Sequence, residues 1–595
     1  MKESKIILKN GNPCLCIGDK QFPACAYITY FEEHNEYEAF SNAGFKIYSV
    51  SISLASQPIN TKSGFMPYEK GVFDVKGKAD FSSVDETIQK ILAICPDAYI
   101  FPRIYVCMPQ WWIDENPEET IPVPHDKRRE SLYSDKFRED VSAMLKILVE
   151  HFKSFDAADH IFGYQISGGN TQEWFHLDRN GSYCDNTLPY FNRYLKNKYP
   201  DIAPLTELPD IEKINTSADL KDATLTEYLR FASEEVAKTI EILCKATKEA
   251  VNYKQIVGVF YGYTAEVADA LWGTHALKDI LDSKNIDFIS SPNSYMDIRA
   301  LGVDWPDMLP VDSIKLHGKM CFMESDIRTF LSKSPGECRE GSDPYSCYTN
   351  DVWRGPATDR LSVYAIRKSL ARQLTQKHGL WWFDMFGHWY ATDAMMQEMA
   401  VSLKLYEQSL VDTPVEFTPE VALILDEKSY SQIGQEHPAY LSGSLIRKSL
   451  GYTGVPYKFY LMDDFDNIDW ENSSFKTVVF GITYDETTLK KATERLCSLG
   501  IGSICITEQK PLYTAKELMK FFRENSVFMF SETEDVCYFG NGYAAIHAVT
   551  EGTKEIKFPM EVKYTNIENN RSVITDCLVF ECTKHETQIF RIEKI

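Results

Sequence analysis

VDETIQKILAIC (84–95) runs into AYIFPRIYV (98–106), and that succession decides the fold. The first segment puts Ile88, Ile91 and Leu92 on one side of a helical period. The second is apolar almost without interruption, where a half-exposed strand would alternate. Such a strand is covered on both faces, as in a parallel sheet flanked by helices. Seven more runs of this kind lie to either side: PACAYITY (23–30), FKIYSVSI (45–52), HIFGYQIS (160–167), IVGVFYGY (256–263), FISSPNSY (288–295), KMCFMES (319–325) and GLWWFDM (379–385). Helical patterns separate them, among them DVSAMLKILVEHFKSF (140–155), TEYLRFASEEVAKTIEILCKATKEAV (226–251) and DRLSVYAIRKSLARQLTQKHG (359–379). The last reads as amphipathic, with Gly379 as its C-cap. Eight β-then-α units predict an α/β fold, a (β/α)8 TIM barrel over residues 1–411. The span exceeds the roughly 250 residues of a plain barrel, so long βα loops are expected, and a doubly wound sheet fits less well.

A Pro-containing linker, DTPVEFTPE (412–420), follows. VALILDE (421–427), YKFYLM (457–462), KTVVFGI (476–482) and GSICIT (502–507) then alternate with helical stretches, which predicts a flavodoxin-like α/β domain over 412–529. It has no GxGxxG fingerprint, so no nucleotide is assigned to it. From 530 to 595 the chain turns to short strand patterns such as YAAIHAVT and ETQIFRIEK, read as a small β-sandwich domain.

The formal net charge of −23 argues against nucleic acid and against an anionic membrane surface, and favours a neutral ligand. The 15 cysteines are scattered and odd in number, and the N-terminus has no signal-peptide pattern. A cytoplasmic location is therefore expected. Twelve dispersed histidines without HExxH, and the lack of Gx4GK[ST] and GxSxG patterns, leave no expected metal or cofactor.

In a TIM barrel the chemistry sits at the C-terminal ends of the strands. After strand 4 the chain reads GYQISGGNTQEWFHLD, which puts Glu173 in a glycine turn beside Trp174. Strand 7, KMCFMESD, ends on Glu324. Strands 4 and 7 face one another across the mouth, so these two carboxyls can flank a glycosidic bond. Supporting candidates come from the other strand ends. Arg103 ends strand 3 and Trp112 follows it, Tyr261 and Tyr263 end strand 5, Asn293 and Tyr295 end strand 6, and Trp353 precedes strand 8. WWFDMFGHWY adds Trp382 (or its neighbour Trp381, since one of two adjacent strand residues points inward), Asp384 and His388. A Tyr hydroxyl from strand 6 is expected to reach Glu324.

Acid/base after strand 4 and nucleophile on strand 7 resemble clan A of the glycoside hydrolases. The three-part order, with NAGFKIYSV, GVFDVKGKADFSSVD, PRIYVCMPQWW and HETQIFRI, resembles the family 42 β-galactosidases. That resemblance implies a retaining exo-β-glycosidase on short oligosaccharides, with Glu173 as acid/base and Glu324 as nucleophile, in a homotrimer built through the second domain. One feature departs from the clan: Gln172 stands where Asn usually precedes the acid/base and binds the sugar 2-hydroxyl. TQEW is closer to divergent relatives such as the family 164 β-mannosidases, which makes β-mannosidase the alternative activity. A catalytically inactive sugar-binding barrel and a non-glycosidic barrel enzyme are the rivals from other classes.

Overall fold

The computed structural model describes residues 2–9, 11–68, 70–177, 187–348, 351–411 and 415–595, without the side chain of Asp351. The start of the expected linker, 412–414, lies outside the described residues. Eight parallel strands close into a barrel: β1 (Cys25–Thr29), β2 (Ile47–Ser53), β3 (Tyr99–Val106), β4 (Gly163–Gly168), β5 (Ile256–Phe260), β6 (Phe288–Pro292), β7 (Met320–Ser325) and β8 (Gly379–Asp384). The seam between β8 and β1 pairs Asp384 with Thr29. A (β/α)8 barrel is thus the fold of the N-terminal part, as the repeated strand-helix pattern predicts.

The register fixes which side chains look inward. Arg103 lies opposite Gln165, and Glu324 lies between Pro292 and Trp381. Inside the barrel, Phe101, Phe322 and Trp381 pack ring against ring, with centroids 5.0–6.0 Å apart. Burying a Phe side chain contributes about 1.5–3 kcal/mol, so this apolar plug stabilises the floor on which the polar mouth stands. The outer helices carry the caps that their sequences supply. Asp222 accepts from the N–H groups of Thr224 and Leu225 to start the helix Ala223–Ala250, and Ser134 caps Asp135–Ser154. The two helices are tied together by Arg138 Nη2 donating to Glu235 Oε2 at 2.6 Å.

The helix Asp359–Gln376 differs from its sequence reading in two ways. It ends on Lys377, which takes the left-handed conformation (φ 55°), so Gly379 is not its cap but the first residue of β8. It is also not amphipathic, because it is covered on nearly every side and buries Lys368, Arg372 and Gln373. Its outer flank meets the C-terminal sheet. Arg372 pairs with Asp304 at 2.7 Å, Asp304 accepts from the Tyr538 hydroxyl at 2.9 Å, and Thr587 Oγ1 donates to the Tyr364 carbonyl at 2.9 Å.

Beyond the barrel, β9 (Val421–Leu425), β10 (Tyr457–Leu461), β11 (Thr477–Phe480) and β12 (Gly502–Cys505) form a parallel sheet in the order β10-β9-β11-β12. That is a flavodoxin-like arrangement, with helices Ser442–Gly451 and Glu486–Ser498 between its strands and Ala515–Glu524 after the last. The chain ends in an antiparallel sheet of β13 (Val536–Gly540), β14 (Tyr543–His547), β15 (Gly552–Asn566), β16 (Ser572–Cys582) and β17 (Thr587–Glu593), ordered β13-β14-β17-β15-β16. Among the described residues, no helix is long and apolar enough to cross a membrane, no His/Cys/Asp/Glu group is arranged to hold a metal, and every cysteine is a free thiol.

Candidate active site

Past β4 the backbone folds back on itself. Gly168 bridges to Glu173, and Asn170 bridges to Phe175. The turn requires unusual conformations: Thr171, Gln172 and Trp174 all have positive φ, at 57°, 70° and 61°. Non-glycine residues in this region are strained and concentrate at functional sites. Gly169 is required outright, since its φ is +67° and a Cβ there would lie 2.3 Å from the Phe175 carbonyl oxygen. Trp174 packs back under the turn, over Gly168, with Nε1 donating to the Ile166 carbonyl.

The turn holds Glu173 over the mouth. Its Oε1 accepts from the Tyr263 hydroxyl at 2.6 Å, and its other oxygen accepts from Thr171 Oγ1. Burial pushes its pKa up to about 8, against the pull of those two hydrogen bonds, and the negative charge of Glu324 adds to the rise. The two carboxyls therefore share one electrostatic environment.

Glu324 is 2% exposed and pairs with Arg103, itself 1% exposed, at 2.7 Å. Trp381 Nε1 donates to the same oxygen at 3.3 Å. The guanidinium of Arg103 is walled by the rings of Tyr30, Phe260 and Phe383, 5.0–5.6 Å away. Burial raises the pKa of Glu324 above its ordinary value and Arg103 draws it only part of the way back, while setting a permanent positive charge against the carboxyl. Two residues on, the buried Asp326 accepts from Arg299, Arg328 and the Tyr295 hydroxyl (2.7 Å). Burial alone would raise Asp326, but the two arginines outweigh it and hold its carboxyl below the ordinary range.

Of the residues singled out from sequence, Glu173, Glu324 and Arg103 converge. Tyr295 stands beside them but donates to Asp326, not to Glu324 as expected. Trp353 meets Tyr348 edge-on and Phe386 at a tilt, 5.1 and 5.2 Å away, next to Arg328. Gln172 is buried and its amide donates to the Tyr68 hydroxyl at 2.5 Å. Six candidates turn elsewhere. Trp382 faces outward, with Nε1 donating to Ser402, because the β7–β8 register sends Trp381 inward instead. Trp112 donates to Asp140 on the helix behind it. Tyr261 lies beyond the end of β5 and its hydroxyl holds Gly273 and Ala276, leaving Tyr263 to meet Glu173. Asn293 accepts from Gln373. Asp384 is sealed in, accepting from Tyr27 and the Trp389 N–H, and burial pushes its pKa up to about 7. His388 is exposed and pairs with Glu36 at 2.6 Å. Tyr30, Tyr68 and Asp326 escaped the sequence reading. Asp326 lies just past the end of β7, where alternation no longer says which way a side chain points.

Residues 75–300 match the family model for glycoside hydrolase family 42, described as beta-galactosidase. That stretch includes Arg103 and Glu173 and stops before Glu324. No curated protein sequence matches the chain. Solved structures of similar fold include the beta-galactosidase of Bacillus circulans sp. alkalophilus, with 12% identity, 96% of this chain and 99% of that one covered, and a TM-score of 0.60. A catalytic mutant of a GH42 beta-galactosidase from G. stearothermophilus has 10% identity, covers 94% and 95%, and scores 0.60. The cold-adapted beta-galactosidase of Rahnella sp. R3 has 10% identity, covers 96% and 98%, and scores 0.59. At such identities the structural likeness is one of fold. With the family match and the barrel, it makes this chain a glycoside hydrolase that resembles the family 42 β-galactosidases.

Proposed function

We propose that the chain is a retaining, exo-acting β-glycosidase of short β-linked oligosaccharides, β-galactosidase in the first instance. Glu324 attacks the anomeric carbon while Glu173 gives its proton to the departing glycosidic oxygen. Glu173 then takes a proton from water, which attacks the same carbon and releases Glu324. The observation that carries this reading is the unlike setting of two carboxyls at the ends of β4 and β7. Glu324 is held against a buried guanidinium, which suits a charged nucleophile. Glu173, with its pKa pushed up to about 8, suits a proton donor near neutrality.

The choice of galactose rests on the family description. Gln172, turned to Tyr68 where the clan has an Asn for the sugar 2-hydroxyl, favours β-mannosidase as the second reading. The catalytic unit in this proposal is residues 1–411, with 412–529 assembling a cytoplasmic homotrimer and 530–595 as the terminal domain. Hydrolysis of a panel of aryl β-glycosides by the wild type, Glu173→Ala and Glu324→Ala tests it, with NMR of the first-formed anomer. Glu173→Ala should lose about 10²–10⁴-fold, the usual worth of general acid–base catalysis, and Glu324→Ala at least as much. Activity surviving both substitutions, or an inverted product, rejects the mechanism.

A further inference from the structure

A cavity of about 250 Å³ lies beside the catalytic mouth, between the loops after β6 and β7 and the C-terminal sheet. Tyr295, Trp305, Arg299, Arg328, Arg354 and His585 are among the residues that line it, and among the described residues no Asp or Glu does. In a chain with a net charge of −23 this is an unusual patch. Behind the wall, one buried carboxylate, Asp326, faces two buried guanidinium groups, those of Arg299 and Arg328. One positive charge is left over.

The two arginines are not equivalent. Arg299 is spent on protein groups: Nε donates to the Ser294 carbonyl, Nη2 to the Asn293 carbonyl, and Nη1 to Asp326. Arg328 uses Nε on the Val352 carbonyl and Nη1 on Asp326, and its Nη2 meets no acceptor among the described residues. Its guanidinium is pinned between the rings of Tyr295, Trp353 and Trp389 at 4.9–5.6 Å, so the free edge is aimed rather than mobile. Arg354 adds a further cation at the rim, paired with the half-exposed Glu337 at 2.8 Å. The segment that carries Ile298 and Arg299 to the cavity is strained: Asp297, Ile298 and Arg299 all have positive φ, at 49°, 54° and 52°. Three such residues in succession, one of them β-branched, persist only where the surroundings impose them, typically at binding sites.

The cavity adjoins the acid/base side of the mouth. Tyr295 lines it, and its N–H donates to Glu266 Oε1 at 3.3 Å, while the Glu266 N–H donates to the carbonyl of Tyr263, whose hydroxyl holds Glu173. We infer that this cavity binds an anionic substituent, a carboxylate or a sulfate, carried by the leaving-group side of the substrate, so that the enzyme prefers acidic oligosaccharides. The inference rests on the glycosidase reading above and adds the class of substrate. A charge-assisted hydrogen bond from Nη2 is the natural use of a pinned guanidinium whose other nitrogens are engaged.

The test compares kcat/KM for β-linked disaccharides whose leaving sugar is a uronate, a 6-sulfated sugar or the neutral parent, at low ionic strength. The expected result is a preference for one acidic form over the neutral one of about tenfold, the worth of one hydrogen bond to a charged group. The preferred form tells carboxylate from sulfate. Arg328→Gln should bring the ratio to near one and Arg354→Gln should lower it. A ratio near one in the wild type, with the neutral disaccharide hydrolysed, overturns the anion site and leaves the glycosidase reading standing. If no glycoside is turned over, that reading fails instead. Titration with free glucuronate and galactose 6-sulfate then decides the cavity, read by the fluorescence of Trp305 and Trp353 beside it. A saturable change, absent with neutral sugar and lost in Arg328→Gln, supports the site, and no saturable change with either anion overturns it.

Discussion

Replacing Tyr263 with Phe removes one hydroxyl that donates to Glu173 Oε1 at 2.6 Å. That bond favours the ionised carboxylate, so its loss raises the pKa of Glu173. Hydrogen bonds to charged groups are worth about 1.5–3 kcal/mol. Glu173 keeps some contact with solvent, which argues for the low end of that range. At about 1.4 kcal/mol per pKa unit, the expected rise is about one unit. Burial already pushes this group up to about 8, and the protonated form is the working general acid. The alkaline limb of kcat/KM against pH should therefore move about one unit to higher pH in Tyr263→Phe, whatever happens to its height. The assay is initial rate on a phenyl β-glycoside, a leaving group poor enough to need the proton, from pH 4 to pH 10. An alkaline limb that stays in place, or moves toward lower pH, refutes Glu173 as the acid held by Tyr263.

Arg103→Met should strip Glu324 of its counter-charge, move the acid limb of the same profile to higher pH and cost about 3–5 kcal/mol of stability in denaturant unfolding, as breaking a buried pair does. Trp381→Phe, which removes a donor to Glu324, should lower kcat about tenfold, the worth of one hydrogen bond to a charged group, whereas Trp382→Phe should leave kcat alone and cost about 1 kcal/mol of stability. Gly169→Ala should destabilise the protein by about 1–3 kcal/mol, because the turn demands φ +67° and leaves no room for a Cβ, and should depress activity by displacing Glu173, as monitored by thermal unfolding alongside rate.

The barrel was legible because covered parallel strands are written as apolar runs, a local signal repeated eight times. Glu173 and Glu324 were legible for a related reason: strand ends are easy to find, and the fold says what strand ends are for; Arg103, read as a strand end, lies inside β3. What escaped depends on neighbours distant in sequence. Whether Trp381 or Trp382 enters the barrel is set by the pairing of β8 with β7, which no stretch of WWFDM records. Tyr261 and Tyr263 follow the last paired residue of β5, where alternation no longer holds, so their directions are decided by the loop Ala270–Ala276 and by Glu173. Asp384 looks like a sugar ligand until Tyr27 and the Trp389 amide are seen to occupy it. The helix Asp359–Gln376 was misread because its polar residues imply solvent, while their true partners come from other parts of the fold.

That same helix bears on how this chain can be shortened or recombined. A product ending near residue 530 would bare the flank where Asp304 meets Tyr538 and where Thr587 grips Tyr364. The bared surface would be a row of half-satisfied ions and apolar side chains directly behind β8, which carries Trp381 toward Glu324. The tail is thus part of the hydrolytic machine's frame rather than a detachable accessory, and grafting this barrel onto a foreign C-terminus would first require rewriting the residues of that one helix.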